Sequence, residues 1–198
     1  MVTKAIQYAQ LTDEHAEDPR TARQSAPGAL SLVLDFVRTS SFLDDSANLR
    51  DWLRAQGLMS TKEELAAGEA RSLIDLRQAL RALLRANHDR TANGEALKTL
   101  DLLSSQVAME LRFRDDQASL QARDGRSGQR AIGQILGIVY DAMADGSWQR
   151  MKICRASDCQ WAFYDSSRNR SGTWCSMSDC GNRAKARAFR ERSRTTQR

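Results

Sequence analysis

Four cysteines, Cys154, Cys159, Cys175 and Cys180, are the only ones in this 198-residue chain, and they follow the pattern C-x4-C-x15-C-x4-C. Two close pairs joined by a short loop can bring four thiolates to one point, and four sulfurs around a point suit tetrahedral zinc. Such a set is closed. It leaves no position for water or substrate, so the expected cofactor is one structural Zn²⁺ and not a catalytic ion. Met1 to Asp13 is mixed polar with no apolar h-region, and no apolar run is long enough to span a bilayer. A cytoplasmic location is expected, where thiols favour metal over disulfides.

The second chemical feature is charge. From Arg150 to Arg198 there are 12 Lys or Arg against 4 Asp or Glu, a net of +8, whereas the preceding residues hold 18 basic against 21 acidic, a net of −3. A basic module on a mildly acidic body is the electrostatic footprint of a nucleic-acid binder. Past Cys180 the chain reads Gly181-Asn182-Arg183 and then a basic segment. If that segment is helical, Arg183, Arg187, Arg190 and Arg194 fall within an arc of about 60° and make one cationic stripe. Lys185 and Arg192 lie on the far side, and Phe189 is available for packing. Arg168 and Arg170 add charge from the loop. These six arginines are the candidate nucleic-acid contacts, because a guanidinium both clamps phosphate and reads guanine. A helix N-terminus at Cys180 would lower its thiol pKa.

The elements that must position these groups are mostly helical. Residues 1–27 are polar, carry Pro19 and Pro27, and read as a loose N-terminal arm. Gly28 to Thr39 is a dense apolar run that fits a buried helix or a buried strand. Asp44 to Gln56 reads as a helix closed by Gly57. Ser60-Thr61-Lys62-Glu63 has the form of a capping box and predicts a long helix to about Asn87, with Leu65, Leu73, Leu76, Leu80, Leu83 and Leu84 as its stripe. Asn93-Gly94 starts a shorter helix through Leu103. The period then drops to two at Val107, Met109, Leu111 and Phe113. It resumes after Asp115-Asp116 at Ala118, Leu120 and Ala122, which predicts a β-hairpin. A helical period returns from Ser127 and ends at Gly146. The fold class is therefore mostly α with one β-hairpin. A helical domain over 28–146 precedes a small four-cysteine zinc-finger module over 147–198 that ends in a basic helix. Trp161, Phe163, Tyr164 and Trp174 lie between the cysteine pairs. So small a module builds little core of its own, so the metal and these aromatics must supply it.

The segment Cys154 to Arg194 resembles the CGNR-type zinc finger, through Phe163-Tyr164-Asp165-Ser166-Ser167-Arg168-Asn169, Trp174-Cys175-Ser176-Met177 and Cys180-Gly181-Asn182-Arg183-Ala184-Lys185. Leu34-Asp35-Phe36-Val37 and Leu49-Arg50-Asp51-Trp52-Leu53 are similar to the opening segments of the ABATE-type domain of bacterial stress-induced transcription regulators, which usually precedes that finger. The resemblance implies Cys154, Cys159, Cys175 and Cys180 as zinc ligands, a DNA-binding finger and a helical Gly28 to Thr39. Arg38 stands where that family typically has Asn. Ser171-Gly172-Thr173 stands where it often carries arginines, which removes charge from the finger loop.

The first functional expectation is a zinc-dependent regulator that binds duplex DNA, with residues 28–146 as a sensing or dimerisation domain and a two-fold homodimer as the default assembly. A zinc-stapled protein-interaction module or an RNA-binding module is the alternative. An enzyme is not expected. There is no phosphate loop, nucleophile elbow or open metal motif, His15 and His88 read as surface residues, and Asp35 reads as a buried structural carboxylate. No residue set identifies a small-molecule effector.

Overall fold

The computed structural model describes residues 25–38, 41–89, 91–114, 116–123 and 125–196. His15 and the arm before residue 25 lie outside them. Among the described residues no helix is long and apolar enough to cross a membrane.

The apolar run is helical: α1 spans Leu30–Arg38 and buries Leu30, Val33, Leu34, Phe36 and Val37. That spacing is a period near 3.6, not two. Ala26, at the end of the predicted arm, is also buried in the core. A 3₁₀ turn over Ser41–Asp44 leads to α2, Ser46–Ala55. Asp45 caps α2, its carboxylate accepting from the Ala47 and Asn48 amides at 3.0 Å. Gly57, with φ +70°, closes it as a Schellman motif. The Gly57 amide donates to Arg54 O at 3.1 Å, and the Leu58 amide to Leu53 O at 2.9 Å.

The long helix α3 runs Ala67–Asp89 and buries Leu73, Leu76, Leu80, Leu83 and Leu84. It starts later than the capping box predicts. The box does form: the Ser60 amide donates to Glu63 Oε2 at 2.7 Å, and the Lys62 amide to Ser60 Oγ at 3.3 Å. It closes a turn instead of a helix, because neighbouring elements take the next carbonyls. Arg54 Nη2 donates to Glu63 O at 2.6 Å, and Ser127 Oγ donates to Glu64 O at 3.1 Å. Those oxygens would otherwise accept the first bonds of a helix. Glu69 serves as the actual cap, accepting from the Ala66 amide at 3.1 Å.

Helix α4, Gly94–Ser105, is capped by Asn93 and packs on α3. The predicted hairpin is β1, Met109–Arg114, paired antiparallel with β2, Gln117–Ala122, in the register Met109↔Ala122 to Arg114↔Gln117. Its base sits on α5, Ser127–Ala144. Gly133 and Gly137 permit this close crossing. A methyl at Gly133 would lie 2.6 Å from the Ala122 Cβ, and one at Gly137 would strike the Leu120 carbonyl. The apolar alternation predicts one buried face, but only its base is covered. Val107 is buried, while Leu111 is 54% and Phe113 75% exposed at the far end.

Beyond Gly146 a 3₁₀ turn over Trp148–Arg150 leads into a second hairpin, β3 (Met151–Ile153) with β4 (Ala162–Tyr164). Its register is Met151↔Tyr164, Lys152↔Phe163 and Ile153↔Ala162. A π turn, Met177–Gly181, then opens the last helix, α6, Asn182–Thr196. Trp148, Met151, Ile153 and Ala162 belong to the same buried cluster as the helices. The one-hairpin fold class thus gains a second hairpin. The sequence hides it because three-residue strands are too short to display a period.

Candidate zinc centre and nucleic-acid interface

The hairpin β3–β4 is where the cysteine module begins, and its alternation serves two cores at once. Met151, Ile153, Ala162 and Tyr164 pack on the helical body. From the other face, Phe163 joins Cys154, Ala156 and Cys180, with Cys159, Trp161, Trp174 and Cys175 packed around them. So three of the four predicted aromatics do pack around the cysteines, and Tyr164 turns to the body. Lys152 shares the second face and is buried, as is Asp165. Lys152 Nζ donates to Asp165 Oδ2 at 2.7 Å and to the Arg170 and Gly172 carbonyls at 2.6 and 3.2 Å. Asp165 also accepts from the Ser167 and Gly172 amides at 3.0 and 2.7 Å. Burial pushes the Asp165 carboxyl up, but Lys152 and these amides together hold it below its ordinary range. Both charges are satisfied, and the loop 165–172 is tied down by them. Gly172 fits because a methyl there would lie 2.7 Å from the Asp165 carboxylate.

The four Sγ atoms lie within 4.8 Å of one another, with Cys159 to Cys175 at 3.6 Å and Cys175 to Cys180 at 3.7 Å. A zinc–sulfur bond of about 2.3 Å gives a tetrahedron with edges of about 3.8 Å. The donors therefore fit the ion, and the four cysteines cluster as a single zinc site. Bound there, zinc supplies cross-linking and charge compensation only, since four thiolates close its coordination. The metal-free thiols resist sharing their charge. Cys154 is pulled down to about 5, first by hydrogen bonding from Cys175. Cys175 is pushed up, first by that same hydrogen bond and then by burial. Cys180 is pushed up to about 12, by burial first and by hydrogen bonding with Cys159 next. Cys180 lies in the π turn Met177–Gly181, two residues before α6 begins at Asn182, so it stands just ahead of the helix N-terminus.

The four residues that begin at the last cysteine each have a structural task. Cys180 is a donor. Gly181 leaves room for Met177, whose Sδ would lie 2.5 Å from an added methyl, and for Trp174. Asn182 Nδ2 donates to Ser178 O at 3.0 Å, tying the helix start to the π turn. Arg183 Nη2 donates to Cys180 Sγ at 3.3 Å and faces Asp158 at 3.8 Å, while its Nη1 lies 3.4 Å from Asp179.

That last observation divides the predicted cationic stripe. Arg187 turns to the first knuckle as well, donating to Ser157 Oγ at 2.9 Å with Asp158 at 4.0 Å. Arg170 Nη1 donates to Gln149 Oε1 at 2.9 Å, and its backbone holds Lys152. Arg168, Arg190 and Arg194 are exposed and have no hydrogen-bond or ion-pair partner among the described residues. The six arginines are thus one half structural and one half available.

Sequence reasoning missed how firmly the body grips the module. Arg38 Nε donates to Ala162 O at 3.0 Å, and its guanidinium lies 5.1 Å from the Trp161 ring centre. Arg81 Nη2 donates to Gln160 O at 3.0 Å, and Arg85 Nη2 to Gln160 Oε1 at 3.1 Å. Asn87 Nδ2 donates to the Trp148 and Met151 carbonyls at 2.9 and 2.8 Å, and Asp89 pairs with Arg155. His88 is not a plain surface residue. It is half-buried, with Nε2 2.5 Å from Ile153 O, and burial pushes its pKa down. Asp35 is not a buried carboxylate: its side chain is 54% exposed and pairs with Arg38. The available signal was Arg81 and Arg85, four residues apart on a core helix, with Asn87 and His88 at its end; Arg77 on the same side pairs with Asp44 instead.

Residues 150–193 match the CGNR zinc finger, and residues 30–146 match the ABATE domain, described as "Putative stress-induced transcription regulator". No curated protein matches the chain. The transcription-regulator description is not that of an enzyme family. With a four-cysteine zinc site at its C-terminal end and the larger part of its length matched by the helical domain, the chain belongs to the ABATE family of transcription regulators that carry a CGNR zinc finger.

Proposed function

We propose that the chain is a zinc-dependent, DNA-binding transcription regulator in which the finger holds α6 against duplex DNA. The observation that carries this reading is α6 itself. It has 15 residues, with six Lys or Arg against one Glu, and none of residues 182–194 is buried. A helix that begins at a metal knuckle, half-buries only Ala184 and Ala188 against the finger and leaves its other described side chains exposed is an element shaped for a partner. The partner must be strongly anionic, and the helix's width suits a major groove of about 12 Å. Arg168, Arg190 and Arg194 are the phosphate contacts in this reading. Arg183, Arg187 and Arg170 hold the scaffold that aims them.

Helices α1 to α5 serve as the sensing or dimerisation domain, over residues 28–146, and 147–198 as the finger module. The grip of Arg38, Arg81, Arg85 and Asn87 on the finger gives the body a direct hold on the orientation of α6. A two-fold homodimer and a cytoplasmic location belong to the same reading. The exposed Leu111 and Phe113 would be covered in that dimer, and sedimentation of Phe113→Ser tests it.

The functional test is a fluorescence-anisotropy titration of the zinc-loaded chain on random-sequence duplex DNA at two salt concentrations, repeated after chelation. Salt-sensitive binding that chelation abolishes is expected, because released counterions dominate such affinity. Absence of binding at low salt would sink the DNA reading and favour a protein partner for the finger.

A further inference from the structure

The arginine stripe is not the face that α6 offers. Its half-buried residues are Ala184 and Ala188. With Arg183, Arg187 and Glu191 they line a cleft of about 230 Å³ against Ser157 and Asp158 of the first knuckle. That side looks at the finger. At about 100° per residue, the strip some 150° round from it is Ala186, Phe189 and Ser193, with Asn182, whose amide is tied back to Ser178 O, at its start. Phe189 is 65% exposed at its centre. Lys185 and Arg192 flank the strip on one side, Arg190 and Arg194 on the other. The outward surface therefore has a small-and-apolar centre and a cationic rim on both sides.

Resting on the DNA-binding reading, we propose that Ala186 and Phe189 read thymine in the major groove of duplex DNA by contact with its C5 methyl group. The rims select this occupant. Two rows of cations beside a helix match the two phosphate backbones that border a groove, and phosphate contacts orient a helix without reading sequence. What then faces the base edges is a methyl, a phenyl ring and a hydroxyl. The first two offer no hydrogen bond, and the only apolar feature of the major groove is the thymine methyl. Ser193 Oγ already donates to Phe189 O at 3.1 Å, which leaves its lone pairs for a base donor. Phe189 is exposed on an otherwise polar helix and belongs to neither buried cluster. A base-edge contact gives it a use.

The test compares the zinc-loaded full chain on a 20-base-pair alternating dA·dT duplex and on the same duplex with every thymine replaced by deoxyuridine. The replacement removes only the methyl and leaves the minor-groove edges unchanged. Wild type should bind the thymine duplex more tightly, by roughly fourfold for each methyl buried, the worth of one CH₂. Phe189→Ala should shrink that ratio, while Lys185→Ala should weaken both duplexes equally and leave the ratio intact. Equal affinity of the wild type for the two duplexes, or an unchanged ratio in Phe189→Ala, would overturn the proposal while DNA binding stood. Failure to bind either duplex at low salt would instead remove the DNA-binding reading beneath it. Because Phe189 is exposed, its replacement leaves zinc content and thermal unfolding unchanged, which separates a lost contact from a lost fold.

Discussion

The helical body and the finger solve the same problem with different material. The body closes its core with side chains alone: Leu73, Leu76, Leu80 and Leu84 of α3 face Val33, Phe36 and Val37 of α1, all nearly inaccessible. Among the described residues the finger has Ala156, Phe163 and two half-buried tryptophans around its cysteines. It relies on polar chemistry instead: four sulfurs and the buried Lys152–Asp165 pair. A core of side chains has many small, replaceable contributors. A core of sulfurs and charges has a few that are indispensable. The hairpin β3–β4 joins the two by presenting one face to each.

Metal removal breaks this comparison most sharply. Structural zinc contributes about 10–16 kcal/mol in small finger peptides. Cys175→Ser or chelation should therefore unfold residues 165–181 and detach α6. Helices α1 to α5 should stay folded, as read by hydrogen exchange. Loss of protection at Leu76 and Leu80 in step with the finger would show that the body is not self-sufficient.

Next in size is the buried ion pair. Lys152→Met leaves Asp165 uncompensated and should cost about 3–5 kcal/mol in denaturant unfolding, with much of it recovered in Lys152→Met combined with Asp165→Leu. Leu76→Ala in the body should cost about 2–5 kcal/mol through a cavity, but no second substitution at a neighbouring charge should rescue it. Equal behaviour of the two sites would erase the distinction between the cores.

A smaller effect is expected where the body covers β2. Gly137→Val forces the helix away from the Leu120 carbonyl and should cost about 1–3 kcal/mol by overpacking. The melting temperature of the body should fall while zinc content is kept. The smallest effect on stability belongs to α6. Arg190→Ala with Arg194→Ala should leave unfolding unchanged, yet lower the steepness of the salt dependence of DNA binding by about two phosphate contacts. Arg183→Ala should do the reverse, loosening the finger by removing a donor to Cys180 Sγ.

Much of this was written plainly in the chain. The zinc site was legible because all four cysteines cluster near the end of the chain as two pairs with the same spacing. Helix periods located α2 to α5 because each buries a single stripe. The misreadings share a cause, which is that tertiary partners decided them. Glu63 and Glu64 lost their carbonyls to Arg54 and Ser127, so the capping box capped no helix. Three-residue strands carry no period, so β3–β4 was invisible. Lys152 and Asp165 gave no pattern at all, since a buried pair is defined by a contact and not by spacing. The arginine stripe was correct as geometry on α6, but a lone helix cannot say which side meets the finger. Asp158 and Ser157 settled that.

The central claim is that the zinc-held helix α6 is the element that meets DNA. Hydrogen exchange of the zinc-loaded chain with and without saturating duplex DNA tests it directly. Slowed exchange concentrated in residues 182–196, with the β1–β2 hairpin and α3 unchanged, is the predicted result. Protection appearing in the hairpin or on α3 while α6 exchanges as before would contradict it.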